Sequence, residues 1–540
     1  MKRREFLSNS TLATAGITSL LIAGCNDPKP AAAEPAPAKD PLADFELNEE
    51  TITSLQEKMA AGKTSSEQIT KLYLDRIKAI DKNGPMVNSV IELNPDAMSI
   101  AKSMDDERKS GKVRSALHGI PILIKDNINT GDKMQTTAGS LSLDGHIATS
   151  DAFVVKKLRD AGAVIMGKTN LSEWANFRST SSSSGWSSRG GQTKCPYILD
   201  HNPCGSSSGS GAAVAANLCV VAVGSETDGS VTCPASVNGC VGIKPTVGLV
   251  SRTGIIPISA TQDTAGPMGR TVRDVALLLN AMIGVDPADS KSKESEGKSQ
   301  ADYSKFLDTN ALRGKRIGVE KKPQGDNQYI HALQSKALDL LKKQGAEIIE
   351  IEYLDKINKL SKSEFLVLQY EFKDGLNKYL SNANAQVKTL ADVIEFNKKN
   401  EDKAMPYFKQ DILEDSNKKG GLDSKEYKDA FKQSHLDSKK IIDDVINKNK
   451  LDAICGITMG PACSIDTIYG DRGGFSLTSP AAMTGYPHIS IPAGMVYDLP
   501  VGFSFFGPAY SEHILFGIAY AYEQASKNRV QPKFKKAFLS

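Results

Sequence analysis

The sequence predicts an α/β fold, a largely parallel sheet covered by helices on both faces. Three observations point to it. The chain has 540 residues, of which 40% are hydrophobic and 24% charged, a globular composition long enough for one large core. Up to residue 250, short apolar runs of strand type alternate with stretches of helical period. That order sets parallel strands side by side with helices crossing over them. Far downstream, "LDAICGI" from residue 451 reads as another strand returning to the same sheet. No internal repeat is visible, and one domain over 45–540 fits better than two.

The order begins with a targeting segment. In "MKRREFLSNSTLATAGITSLLIAGC", Lys2, Arg3 and Arg4 precede an apolar stretch, Thr11 to Ala23, that is too short to span a bilayer. "RREFL" resembles a twin-arginine export signal, and "IAGC" resembles a lipobox in which Cys25 becomes a lipidated first residue. Residues 1–24 are therefore expected to be an export signal, and the protein a periplasmic or cell-envelope lipoprotein. Residues 25–44 form a Pro/Ala-rich, semi-rigid linker.

Residues 49–80 carry apolar side chains three and four apart (Leu55, Met59, Ile69, Leu72, Tyr73, Ile77), which predicts helix. "GIPILIKDNI" reads as a buried strand entering a polar turn. "SDAFVVKKLRDAG" reads as a helix with Ser150 as N-cap and Gly162 as stop, and "AVIMGKT" as the next strand. Residues 286–305 are charged and apolar-poor, which predicts a surface loop. The stretch from about 286 to 449 is expected to be a lysine-rich helical excursion before the last strands.

Composition excludes little but does exclude something. With 66 basic and 63 acidic residues the net charge is +3, which gives no footing for a nucleic-acid partner. No C-x-x-C pair occurs and no histidine is spaced for zinc, so no metal is expected. Cys219 and Cys240 lie in apolar or small-residue runs and read as buried fillers. Few disulfides are expected, and the pair left open is Cys195–Cys204.

Two motifs mislead. "GAVIMGKT" has the spacing of a phosphate-binding loop, but such a loop follows a strand and opens a helix, and here the order is reversed. "GSSSG" at 205–209 has the spacing of a nucleophile elbow centred on Ser207. The "LDHNPC" before it is polar, carries Pro203 and is no strand, and no histidine stands out as a partner. A better constellation is "VGSETDGSVTCPAS". Its Ser230 follows the strand-like "CVVAVG", beyond a strand end, where open α/β sheets place their sites. A glycine at 229 lets the backbone turn, so the N–H groups of Thr227, Asp228, Gly229 and Ser230 can converge on an oxyanion. A serine nucleophile needs a base. Lys125, closing the apolar run "GIPILI", is the candidate if burial lowers its pKa by about 3, worth about 4 kcal/mol; a lysine reaching solvent is the plainer alternative.

"GIPILIKDNI", "NPCGSSSGSGAAVAANL", "GSETDGSVTCPASVNGCVGIKPT" and "GYPHISIPAG" together resemble the amidase signature family. "GKTNLSEWANF" with "GSSSGSG" and "GSETDGS" is most similar to its bacterial peptide amidases. The resemblance is dense from about 115 to 275 and returns near 451–508. It implies the amidase signature fold, one mixed sheet of about eleven strands. It also implies a Ser–Ser–Lys relay, with Ser230 as nucleophile, Ser206 in a cis peptide as the bridging serine and Lys125 as terminal base. Ser207 and Ser208 are expected to hydrogen-bond the loop. The sequence departs from the wider family at Cys204, Ser208, residues 226–228 and Thr232, several of these shared with the peptide amidase branch. The implied activity is an amide hydrolase without cofactor, acting on peptide C-terminal amides or, as the alternative, on aliphatic and aryl amides. The implied partner is a small amide or peptide-amide substrate, with membrane contact only through a lipid on Cys25. A rival of another class is a lipid-anchored binding protein without catalysis. A component of an amidotransferase would share the relay, but the export signal argues against it.

Overall fold

The computed structural model describes residues 45–539 apart from 323–324 and 473. The expected export signal, Cys25 and the linker at 25–44 lie outside the described residues. The chain enters through two helices, Ile52–Ala60 and Ser66–Arg76, the second running into a π-helical turn at Ile77–Asp81. Thr51 and Ser65 cap them by accepting the N–H of Ser54 and Gln68, both at 3.1 Å. The apolar positions read from the sequence point inward: Leu55, Met59, Ile69, Tyr73 and Ile77 are buried.

The strands are β1 (Val90–Leu93), β2 (Pro121–Lys125), β3 (Val164–Thr169), β4 (Trp186–Ser187), β5 (Gly191–Gln192), β6 (Val221–Glu226), β7 (Val241–Lys244), β8 (Thr264–Gly269), β9 (Arg316–Glu320), β10 (Glu347–Ile351), β11 (Ala453–Ile457), β12 (His488–Val496) and β13 (Leu499–Phe506). β4 and β5 pair alone. The others form one 11-stranded sheet in the order β1-β3-β2-β6-β8-β7-β12-β13-β11-β9-β10, with helices packed against it. The sheet is mixed, but its parallel share is smaller than the helix–strand alternation predicts. β2 is parallel to β3 and β6, and β9 to β10 and β11; every other pair is antiparallel. The reason lies beyond the alternating region: β8 inserts between β6 and β7, and β12 and β13 form a hairpin turning at Tyr497 and Asp498, with Tyr497 left-handed at φ +51.

Two further expectations are corrected. The helix at 153 starts at Phe153 with Ala152 as N-cap rather than Ser150, because the N–H groups of Ala152 and Phe153 go to the carbonyls of Asn129 and Thr253. The stretch 286–449 is not wholly helical. It adds β9, the helix Gln328–Lys343 and β10 to the sheet's edge, and its first part holds two 3₁₀ turns with Ser292 and Tyr303 buried. Glu347 and Glu350 at the exposed positions of the edge strand β10 hide its alternation.

A main core lines the sheet, including Ile122, Ile124, Val221, Val223 and Phe503. A second core joins Leu368, Phe372, Leu376 and Leu380 of the helix Ser361–Asn382 to Trp174, Phe177, Ile256 and Ile258. The ends of the described chain meet. Glu49 pairs with Arg529 through two hydrogen bonds of 2.7 Å, and Asn48 Nδ2 donates to Gln531 at 3.0 Å. Among the described residues no helix is long and apolar enough to cross a membrane.

Candidate active site

Two adjacent strand ends, those of β2 and β6, and the turn at Ser206 build the site. β2 is five residues, all buried, and Lys125 is its last. A lysine at the end of an apolar strand inside a sheet cannot reach water, and its side chain is fully buried. Its Nζ lies 2.8 Å from Ser206 Oγ, 2.9 Å from Ser225 Oγ and 3.1 Å from the Ser225 carbonyl. An ammonium would donate to all three. A neutral amine has two N–H groups for Ser225 and a lone pair left to face the Ser206 hydroxyl. Burial lowers the Lys125 pKa from 10.5 to about 7, against the opposing pull of Asp263 and Glu226. The amine is thus half neutral near physiological pH.

Ser206 is buried, and its peptide bond to Gly205 is cis. The helix Ser208–Ala215 that follows is made of small residues, all buried. At Gly209 a Cβ would stand 2.2 Å from the Ser89 carbonyl, so only glycine lets this helix approach so closely. Ser207 and Ser208 bind the loop: Ser207 Oγ donates to the Ser225 carbonyl at 3.1 Å and Ser208 Oγ to the Cys204 carbonyl at 2.6 Å.

Ser230 lies beyond β6, with its carbonyl accepting the Ser207 N–H at 3.1 Å. Gly229 has φ +78, and a Cβ there would meet Cys233 Sγ at 2.9 Å. The N–H groups of Thr227, Asp228, Gly229 and Ser230 find no acceptor among the described residues. Behind Ser230 the buried Glu226 carboxylate accepts the N–H groups of Val231 and Thr232 at 2.8 and 2.9 Å, fixing the start of the helix Thr232–Val237. A cavity of about 170 Å³ borders Asn127, Ser225 and Thr227, with Ala175, Ile255 and Ile258 among its apolar walls.

Lys125 and Ser206 are therefore in hydrogen-bonding contact, and the Ser206–Ser207 segment packs on the Ser230 loop. Sequence reasoning missed Ser225 and Asn127, whose Nδ2 donates to Ser225 Oγ at 2.9 Å. Asn127 lies in the turn after β2, two residues past Lys125, and the polar residues closing that apolar run were the available signal. The misleading motifs fall as expected. Lys168 is buried within β3, donating to the Ile128 carbonyl and Thr136 Oγ1 at 2.7 and 2.9 Å, so it cannot face a phosphate. No strand runs into Ser207. Cys195 and Cys204 are free thiols.

A buried amine on a serine hydroxyl, beside unpaired N–H groups at strand ends, is an arrangement suited to acyl transfer. The family model described as Amidase matches residues 68–516. A probable amidase of Arabidopsis thaliana is 42% identical over 91% of this chain and 92% of its own. A putative amidase of Schizosaccharomyces pombe is 38% identical over 90% of this chain and 87% of its own. The solved peptide amidase of Stenotrophomonas maltophilia is 46% identical, superposes with a TM-score of 0.87, and is covered over 91% of this chain and all of its own. The chain belongs to the amidase signature family and is an amide hydrolase.

Proposed function

We propose that the protein cleaves amides through a Ser–Ser–Lys relay and that its preferred substrates are peptide C-terminal amides. The observation that carries the relay is the fully buried Lys125 amine, 2.8 Å from Ser206 Oγ and with a pKa near neutrality. Neutral Lys125 takes the Ser206 proton as Ser206 takes that of Ser230. Ser230 Oγ bonds to the amide carbon, and the carbonyl π pair moves to oxygen. The N–H groups of residues 227–230 receive that oxyanion, roughly 3–4 kcal/mol of transition-state stabilisation per donor in a comparable site. The C–N bond breaks as nitrogen takes the proton back along the relay, and ammonia leaves. Water, deprotonated by the same route, then splits the acyl-serine. The apolar walls of the adjoining cavity suit the acyl side of a peptide amide. The peptide amide preference is supported by the likeness to the Stenotrophomonas maltophilia peptide amidase. The protein acts as an exported, lipid-anchored enzyme of the cell envelope, a reading that rests on residues 1–25.

The test is ammonia release by protein lacking residues 1–25, given peptide amides and simple aryl amides. Faster release from peptide amides, abolished in Ser230→Ala, is the expected result. Equal rates on both sets would replace the peptide preference with broad amidase activity. A folded protein inert on all of them would leave the binding-protein reading.

A further inference from the structure

The N–H groups of residues 227–230 can act together only if their loop is held still. Part of the hold comes from the site's own neighbourhood: Thr227 Oγ1 donates to Asp263 Oδ1 at 2.6 Å, and Ser479 Oγ donates to Asp228 Oδ2 at 2.6 Å. Another part comes from the lysine-rich stretch for which the sequence suggested no role. Glu364 stands in the first turn of the helix Ser361–Asn382 and is buried there. Gln262 bridges it to the loop, its Nε2 donating to Glu364 Oε1 at 2.9 Å and to the Thr227 carbonyl at 3.3 Å.

The Glu364 carboxyl also lies near enough to that of Asp228 for the two to interact. Asp228 Oδ1 is shut away from solvent and takes a hydrogen bond from no amide or hydroxyl among the described residues. Two carboxyls this close repel when both are charged, which favours a proton on Glu364. Burial first, and then the Asp228 charge, push the Glu364 carboxyl well above the usual carboxylate range. The other ionisable groups around the pair, Glu226, Lys244 and Cys233, all act from the Asp228 side, with Lys244 the cation among them.

We propose that Glu364 is a positioning residue of the oxyanion loop: its protonated carboxyl donates to Asp228 and accepts from Gln262, holding the N–H groups of residues 227–230 toward the charge that develops on the substrate. The proposal rests on the oxyanion reading given above. Glutamine at 364 replaces the O–H donor with an N–H donor that no pH removes; alanine leaves Asp228 and Gln262 without that neighbour.

The experiment measures kcat and KM on one peptide amide from pH 6 to 10 for the wild type, Glu364→Gln, Glu364→Ala and Ser230→Ala. Glu364→Ala is expected to lower kcat about tenfold or more at little change in KM, the cost of misaligned catalytic groups. Glu364→Gln is expected to keep most of the wild-type kcat. Wild-type kcat should fall on the alkaline side as Glu364 loses its proton, and Glu364→Gln should not. The proposal is overturned if Glu364→Gln is as impaired as Glu364→Ala, if Glu364→Ala keeps full kcat, or if wild type and Glu364→Gln share one pH profile. An active Ser230→Ala would instead sink the nucleophile reading. An inactive Ser230→Ala beside Glu364 variants that behave as wild type would sink only this inference.

Discussion

Lys125 is where the chemistry and the stability of this protein meet. Only its neutral form can accept a proton, so kcat/KM should climb with pH through about 7, ahead of the alkaline fall expected from Glu364, read from initial rates of ammonia release. The same amine costs stability. Its folded pKa of about 7 lies below the 10.5 of an exposed lysine, so between these values the unfolded chain binds more protons. The penalty is therefore full below about pH 7 and fades as pH rises toward 10.5, a difference on the order of 5 kcal/mol. Lys125→Met should be inactive yet harder to unfold in denaturant at pH 6, with the gain shrinking at pH 10. An equal gain at both pH values would mean that the buried charge is not its source.

The helix Ser361–Asn382 does two jobs at the scale of elements: it closes the second core and delivers Glu364. Leu376 is fully buried in that core. Leu376→Ala should lower unfolding free energy by about 2–5 kcal/mol, measured by denaturant titration. This helix also marks where the sequence ran out. β2, β3, β6 and β11 were legible because unbroken apolar runs of five or six residues announce strands buried on both faces. β9 and β10 were not, since Arg316, Glu320, Glu347 and Glu350 dilute the apolar signal at an edge. At the site, the contact of Lys125 with Ser206 was legible only through long family motifs, because spacing alone left Lys125 as a solvent-seeking lysine. Ser225 meets Lys125 across 100 residues of chain, and Gln262 meets Glu364 across 102, separations that no local pattern encodes.

For the whole molecule, the site draws on β2, the Ser206 turn, the end of β6, the loop before β8, the helix that begins at Ser361 and Ser479. Fragments should therefore lack activity even when each keeps some secondary structure. Deleting residues 1–44 should leave the thermal midpoint and kcat of the enzyme unchanged, by calorimetry and ammonia release, because the sequence reads there as an export signal and a Pro/Ala-rich linker. Radioactive fatty acid fed to producing cells should label the full chain and not Cys25→Ser; label on that variant would sink the lipid anchor.

The clasp of Glu49 and Asn48 on Arg529 and Gln531 carries a consequence for engineering. Residues 48–49 and 529–531 lie side by side, so a short glycine–serine bridge could join the chain there and new ends could be opened at the exposed glycines 420 and 421. Such a circular permutant preserves every strand pairing, and it should turn over the same amides from a reordered gene.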